Sequence, residues 1–404
     1  MRTNTIRLLD YWLGVPVCAA LTTVRGLLPA RTQPPRKVLF LKFIEQGATV
    51  LAQDAIARAE ARVGRDNLYF CVFESNRAIL DVLGVVPAAN VLVLRDRRLS
   101  TFIVDYFRAL ALMRSRGVDT VIDMEFFSRA SAIFAALSGA STRVGLHRFT
   151  GELPYRGNLM THRVQYQPHV HISHQYALLT EAAFLEPVDE PLLKFPLQSI
   201  AEAPFAGVQF EPSAADLAAV RERLGISDGR APRPIVLLNP NASDLLPLRK
   251  WEGSRFIELA QRILARYPDA RIGITGAPAE QAAADQLCRT IGADRAISLA
   301  GKTSLRELLT LYSVADVLVT NDSGPAHFAS LTPVHTVVLF GPETPRLFRS
   351  LAPRTTVVWK ELACSPCVSV FNHRLSPCRN NVCMQAISVD EVFDAVGAAV
   401  AARD

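Results

Sequence analysis

The chain predicts an α/β protein built from two doubly wound, largely parallel sheets with helices on both faces. Three observations carry that expectation. Short, uniformly apolar runs alternate with helix-period segments, a Pro-rich irregular stretch from about Glu186 to Pro234 interrupts them, and the alternation then restarts. A strand that is apolar on both faces belongs to a covered parallel sheet, whereas a half-solvated antiparallel strand alternates. At 404 residues, two domains are the natural count. With 50% apolar and 20% charged residues, the chain has ample core for both.

Taken in order, the first half predicts strands over 38–41, 69–73, 91–94 and 120–123, with helical periodicity over 49–63, 76–83 and 102–116. Residues 150–175 are less regular. With their approach they hold His147, His162, His169, His171 and His174, whose spacing fits no ligand pattern and reads as polar surface. A helix over 214–224 lies within the irregular stretch. The second half predicts strands over 234–238, 271–274, 296–299, 317–319 and 337–339. The expected division is an N-terminal apolar segment 1–36, a first domain 37–195, a linker 196–230 and a second domain 231–404. A crevice at the carboxyl ends of the strands is the expected ligand site. Neither G-x-G-x-x-G nor G-x-x-x-x-G-K-[ST] occurs, so nicotinamide dehydrogenases and P-loop enzymes lose their main support.

The net charge of +6 favours an anionic ligand or surface, but the basic residues are dispersed and no pattern for nucleic acid is present. Seven cysteines in this length do not make a disulfide framework, which points to a reducing compartment. Fourteen uncharged residues separate Asp10 from Arg25, too few to span a bilayer, which takes about 20. Arg2 and Arg7 imitate a signal peptide, but Asp10 interrupts that pattern. Two readings stay open: an interfacial helix with Trp12 in lipid and Arg7 and Arg25 near head groups, or a helix packed on the protein. Near the other end, Cys364, Cys367, Cys378 and Cys383 fall within 20 residues. A structural tetrathiolate zinc site, reduced thiols and a disulfide are all open for them.

The richest stretch is Thr320-Asn321-Asp322-Ser323-Gly324-Pro325-Ala326-His327, a strand end running into a helix start. Free N–H groups and the positive end of the helix dipole suit a phosphate there, with Ser323 or Gly324 as cap and Pro325 in the first turn. The other second-half strands end in comparable loops: Asn239-Pro240-Asn241-Ala242-Ser243 followed by Arg249-Lys250-Trp251, Thr275-Gly276 with Glu280, and Gly301-Lys302. A carboxylate suits a ribose diol, and lysines neutralise a pyrophosphate.

These loops resemble glycosyltransferase family 9, the family of the lipopolysaccharide heptosyltransferases. The resemblance covers residues 37–400 and rests on the turn Lys42-Phe43-Ile44-Glu45-Gln46-Gly47, the loops above, the octapeptide at 320–327 and Phe340-Gly341-Pro342. It implies a GT-B architecture of two Rossmann-like domains facing a central crevice. It also implies inverting, metal-independent transfer of a sugar, with no catalytic cofactor. By the same resemblance, Ser243, Lys250, Glu280, Asp322, Ser323, Gly324 and His327 hold the donor, for which ADP-heptose leads. The acceptor it implies is an anionic lipopolysaccharide-type glycolipid at the inner face of the cytoplasmic membrane, so the expected location is cytoplasmic and peripheral. Arg95, Arg97 and Arg98 follow a first-domain strand where such an acceptor could dock. Where relatives commonly carry Gly-Asp, with that Asp as base, this chain has Gly47-Ala48. Glu45 is the nearest carboxylate and the expected base. The alternative is a non-catalytic nucleotide-sugar-binding or scaffold protein that lost its base.

Overall fold

A computed structural model describes residues 8, 10–27, 33–201, 207–226, 233–242 and 246–402. The chain divides into two units, Met1–Gly207 and Val208–Asp404. Ser243 and Arg7 lie outside the described residues.

The first unit opens with helix α1 (Gly14–Gly26) and then runs β1 (Val38–Leu41), α2 (Gln46–Leu51), α3 (Gln53–Val63), β2 (Leu68–Phe73), α4 (Arg77–Leu83) and β3 (Val91–Leu94). It continues through α5 (Leu99–Ser115), β4 (Thr120–Asp123), α6 (Arg129–Leu137), β5 (Thr142–His147), β6 (His162–Gln165), α7 (Ile172–Ala182) and the short α8 (Gln198–Ala201). The six strands are all parallel, in the order β3-β2-β1-β4-β5-β6. Strands β5 and β6 are additions to the sequence expectation. Their segments, Thr142–His147 and His162–Gln165, carry Arg, His and Gln among the apolar residues and so lack a continuous apolar run.

One face of this sheet presents Leu39, Leu41, Tyr69, Leu92 and Val121 to α1, α5 and α6 in a single apolar core. Helices α3 and α7 pack together on the other side. No helix bridges β5 and β6, and α1 packs beside α6. Its attachment is specific. The Asp10 carboxylate accepts the amides of Arg129 and Ala130, each at 3.0 Å, and pairs with the Arg129 guanidinium at 3.0 Å. A carboxylate at a helix N-terminus meets free N–H groups and the positive dipole end. Gly14 allows the close approach, since a Cβ there would lie 2.7 Å from the Cβ of Arg129. The Thr22 hydroxyl accepts the Asn158 amide at 2.8 Å, and Arg25 donates to the Ala136 carbonyl. Arg25 is thereby tied to α6.

The second unit contains α9 (Ala214–Arg223), β7 (Ile235–Asn239), α10 (Gly253–Arg266), β8 (Arg271–Ile274), α11 (Gln281–Ile291), β9 (Ala296–Ser298), α12 (Leu305–Val314) and β10 (Val317–Asn321). It ends with α13 (Gly324–Ala329), β11 (His335–Phe340), α14 (Pro345–Phe348), β12 (Thr355–Trp359), α15 (Val382–Gln385) and α16 (Val389–Ala401). Its six parallel strands stand in the order β12-β11-β10-β7-β8-β9. Counted from the first strand of each unit, both sheets follow 3-2-1-4-5-6, the Rossmann order, so the α/β, doubly wound expectation holds twice. Helices α10, α11 and α16 cover one face through a core that includes Leu238, Ile274, Val319 and Leu339. The edge strand β12 was not expected. It is only half-buried along its length, and the irregular Leu351–Arg354 approach hides its start.

Candidate functional site

In a 3-2-1-4-5-6 sheet the order reverses between strands 1 and 4, and the loops leaving those strands part to form a ligand crevice. In the first unit these are β1 and β4, where Leu41 stands in register with Asp123. The next residues carry the chemistry. Lys42 is completely buried; its Nζ lies 3.2 Å from Glu45 Oε2 and 3.1 Å from Glu125 Oε2. The other oxygen of Glu125 accepts the amides of Phe43 at 2.6 Å and Ile44 at 3.3 Å. Burial works against the Lys42 charge, but Glu125 and Glu45 outweigh it and hold the ammonium above the usual lysine range. Burial pushes the Glu125 carboxyl up while Lys42 pulls it down.

Glu45 itself has φ +70°, a left-handed conformation that is strained for a residue with a Cβ. It occupies the N-cap position of α2, yet its side chain makes no capping bond and turns to Lys42. About a quarter of that side chain remains exposed. Ala48 lies in the first turn of α2 and offers no proton acceptor.

A second charged pair backs this turn. Asp123 receives Ser131 Oγ at 2.8 Å and the Glu125 amide at 3.0 Å, and pairs with Arg156 at 3.0 Å. Burial drives the Asp123 carboxyl upward against the pull of Arg156. Lys42, Asp123, Glu125 and Arg156 received no role from the sequence reading. The available signal was a charged residue directly after each apolar strand, Lys42 after 38–41 and Asp123-x-Glu125 at the end of 120–123.

Two histidines of this unit differ from their sequence reading. His162 and His171 are buried rather than on the surface. His162 Nε2 lies 2.9 Å from the Leu185 carbonyl, and His171 caps α7. Arg95, Arg97 and Arg98 are all exposed, and Arg95 is in addition committed to Asp105, with contacts of 2.7 and 2.8 Å.

In the second unit the switch lies between β7 and β10, where Asn239 stands in register with Thr320. Asparagines tie the loops together. Asn239 Nδ2 donates to Thr275 Oγ1 at 3.1 Å, Asn321 Nδ2 to the Asn241 carbonyl at 3.1 Å, and Asn321 Oδ1 accepts the Trp251 amide at 3.1 Å. Trp251 is itself buried, with its indole N–H on the Ile387 carbonyl at 3.0 Å.

Asp322 is buried, with Oδ2 at 3.4 Å from Arg249 Nε. Arg249 also bonds the Asp322 carbonyl at 3.1 Å and the buried Glu343, to which Arg374 approaches at 3.4 Å. Two guanidiniums and two carboxylates thus meet at the carboxyl edge of β10 and β11. Glu343 and Arg374 went unremarked in the sequence. Ser323 holds the N-cap position of α13, but its hydroxyl donates back to the Asn321 carbonyl at 3.1 Å instead of capping. Gly324 and Pro325 open the helix as expected, and His327 is buried within it.

The Glu280 carboxylate closes its own turn by accepting the Ala277 amide at 2.6 Å. Lys250 is half-buried and makes no ion pair among the described residues, while its carbonyl accepts Asn381 Nδ2 at 2.9 Å. Lys302 turns to the Ser298 carbonyl at 2.9 Å.

The four clustered cysteines are free thiols. Cys364 and Cys378 are exposed, Cys367 and Cys383 half-buried, and burial raises the Cys383 thiol. Among the described residues no group of three or more His, Cys, Asp or Glu is disposed to hold a metal ion, so the tetrathiolate is not assembled. The cysteine segment instead braces the loops. The Cys367 amide reaches the Pro342 carbonyl at 3.1 Å, and Asn381 bonds the Leu248 and Lys250 carbonyls at 3.0 and 2.9 Å.

Comparison with known proteins adds the family. The profile of glycosyltransferase family 9 (heptosyltransferase) matches residues 107–374. Lipooligosaccharide heptosyltransferase 2 of Campylobacter jejuni is 27% identical over 171 residues, 41% of this chain and 51% of that protein. The Haemophilus influenzae protein of the same name is 28% identical over 132 residues, 31% of this chain and 36% of that one. The chain spans about half the length, or less, of the curated relatives it matches. Among solved structures, the E. coli ADP-heptose lipopolysaccharide heptosyltransferase II aligns with a TM-score of 0.68 at 18% identity, over 91% of this chain and 99% of that one. A family 9 glycosyltransferase from Veillonella parvula aligns at 0.69 and 15%, over 92% and 99%. These structural likenesses establish a shared GT-B fold, and the profile match across more than half of the residues establishes the family. The chain belongs to glycosyltransferase family 9, the heptosyltransferase family.

Proposed function

We propose that this chain is an inverting, metal-independent glycosyltransferase. It moves a heptose-like sugar from a nucleoside-diphosphate donor, ADP-heptose first among candidates, to a lipopolysaccharide or related cell-envelope glycan. The observation that carries the reading is the family match over residues 107–374. The donor is assigned to the second unit, at Lys250, Glu280, Asp322, Ser323, Gly324 and His327, with Ser243 in the same loop. Glu45 is the base. Its carboxylate takes the proton of the acceptor hydroxyl as that oxygen attacks the anomeric carbon and the nucleoside diphosphate departs from the opposite side. Lys42 and Glu125 act as positioning residues that fix the Glu45 turn. The charge that grows on the leaving diphosphate falls to Lys250 and to backbone N–H groups of the 322–324 turn, since preorganised donors stabilise developing charge most where water is excluded. Nucleotide sugars are cytosolic metabolites, so the reaction belongs to the cytoplasmic face of the inner membrane.

One observation favours a second reading. Ala48 stands where relatives commonly carry the base, which suits a donor-binding protein without activity. Incubating purified chain with ADP-heptose and an extracted glycolipid acceptor separates the two, with product mass and anomeric configuration as readouts. Transfer with inversion, undiminished by chelator and reduced at least ~100-fold in Glu45→Gln, is the expected result. Donor binding without transfer by the wild-type chain supports the second reading. A Glu45→Gln variant of full activity removes the base assignment.

A further inference from the structure

Helices α1, α5 and α6 roof one face of the first sheet, and α6 packs against both of the others. The outside of a roof helix is ordinarily polar. Here it is not. Trp12, Leu13 and Val17, on α1 and the turn leading into it, are 70%, 61% and 41% exposed. Ile103, Val104 and Phe107 on α5 are 45%, 61% and 60% exposed. On the central helix α6, Ile133 and Leu137 are half-buried against the same core, while Arg25 and Arg114 reach the carbonyls at its C-terminal end.

We propose that this roof docks on an anionic lipid bilayer. The charges select that occupant. Asp105 is the only acid in α5, and it is buried and neutralised by Arg95. The exposed charges of α5 and its approach that are not tied to Asp105 are Arg97, Arg98, Arg108 and Arg114, with Glu74 at 3.9 Å from Arg97 the one acid paired among them, so the rim of the apolar patch is net positive and complements lipid phosphates. A second copy of the chain would set the same arginines against one another, which disfavours self-pairing. Indole and phenyl groups seat well at the head-group boundary, and a helix lying there sinks its apolar face about 5–10 Å. No helix among the described residues is long and apolar enough to cross a membrane, so the contact is with one leaflet. The Asp10–Arg129 pair and the Asn158–Thr22 bond keep α1 on the roof, so two helices engage as one rigid surface. The proposal deepens the reading of a lipid-linked acceptor by naming the surface that meets its membrane.

The test is co-sedimentation of the full chain with vesicles of phosphatidylcholine alone and of phosphatidylcholine with phosphatidylglycerol. Binding is expected to the mixed vesicles only, with a blue shift of tryptophan emission that the Trp12→Phe variant lacks. Val104→Asp/Phe107→Asp and, separately, Arg97→Glu/Arg98→Glu each lower that binding by about tenfold or more. The first variant keeps the wild-type melting temperature and transfers normally to a lipid-free acceptor fragment. Loss of transfer to that fragment in wild-type protein would count against the proposed function and leave docking standing. Docking is overturned by failure to bind mixed vesicles, or by both variants binding as wild type. It is also overturned if the variants disperse a dimer seen by light scattering while vesicle binding stays unchanged.

Discussion

Glu125 holds Lys42 with one carboxylate oxygen, at 3.1 Å, and the backbone of the Phe43–Ile44 turn with the other. A residue from the end of β4 therefore shapes the turn that carries Glu45. Lys42 completes the arrangement by spanning the two carboxylates from within the core.

Because Lys42 is fully buried, removing its charge leaves Glu125 without compensation. Lys42→Met is expected to lose about 3–5 kcal/mol of stability. The double variant Lys42→Met/Glu125→Gln recovers a good part of that loss. Urea unfolding measures both, and a single variant within about 1 kcal/mol of wild type would show that the pair is not coupled to the core.

Arg249 stands between Asp322 and Glu343 in the second unit. Arg249→Ala removes the guanidinium shared by Asp322 and Glu343, leaving Arg374 as the cation beside Glu343, and is expected to lower stability by about 3 kcal/mol and donor affinity with it. Arg249→Lys rescues little, because one ammonium cannot reproduce the contacts of a guanidinium fork. Denaturation curves and calorimetric titration with ADP provide the check; equal behaviour of the lysine variant and wild type would refute the bridging role.

A Cβ added at Gly276 would sit 2.8 Å from both Asn241 Nδ2 and Glu280 Oε2. Gly276→Ala is therefore expected to cost about 1–3 kcal/mol through overpacking. The displaced groups belong to the proposed donor loops, so ADP affinity falls by more than the stability change accounts for. A variant whose melting temperature drops while its ADP affinity is intact would remove Glu280 from the donor site.

His147 is held down to about 4 by burial, with Arg163 and Arg156 adding to the effect. Its unfolded value is higher, so below that value the unfolded chain binds a proton that the folded chain refuses. Its contribution to stability is complete above about 6.5 and is lost as pH falls from there toward about 4. His147→Gln should flatten the stability–pH curve across that window. A curve parallel to wild type would show that another histidine is responsible; His162, His174 and His335 are shifted the same way, each chiefly by burial.

Much of the fold was legible because parallel strands covered on both sides are apolar throughout, as in Val38–Leu41 and Ile235–Asn239. Strands β5, β6 and β12 escaped because polar side chains interrupt their runs or because their edge position relaxes the requirement. The loops of the second unit could be read in order, since each follows its strand directly. Their partners could not. Lys42 and Glu125 are 83 residues apart, and Arg249 and Glu343 are 94 apart, so only the folded sheet brings them together. Glu45 was reachable by its nearness to the glycine turn, whereas its left-handed backbone leaves no mark in composition.

In sequence the segment of α1 only imitates a leader, a short apolar stretch behind two arginines that Asp10 interrupts. In the folded unit it is part of the helical layer over one face of the sheet: Cys18 lies in the common core, and Asp10, just ahead of the helix, anchors the start of α6. A chain trimmed to begin at Lys37 would therefore open a seam beside α6, leaving the buried Arg129 without its acid and the 157–158 loop without its backing. What resembles an address label is part of the masonry, and shortening it should loosen the whole first unit before it alters any chemistry.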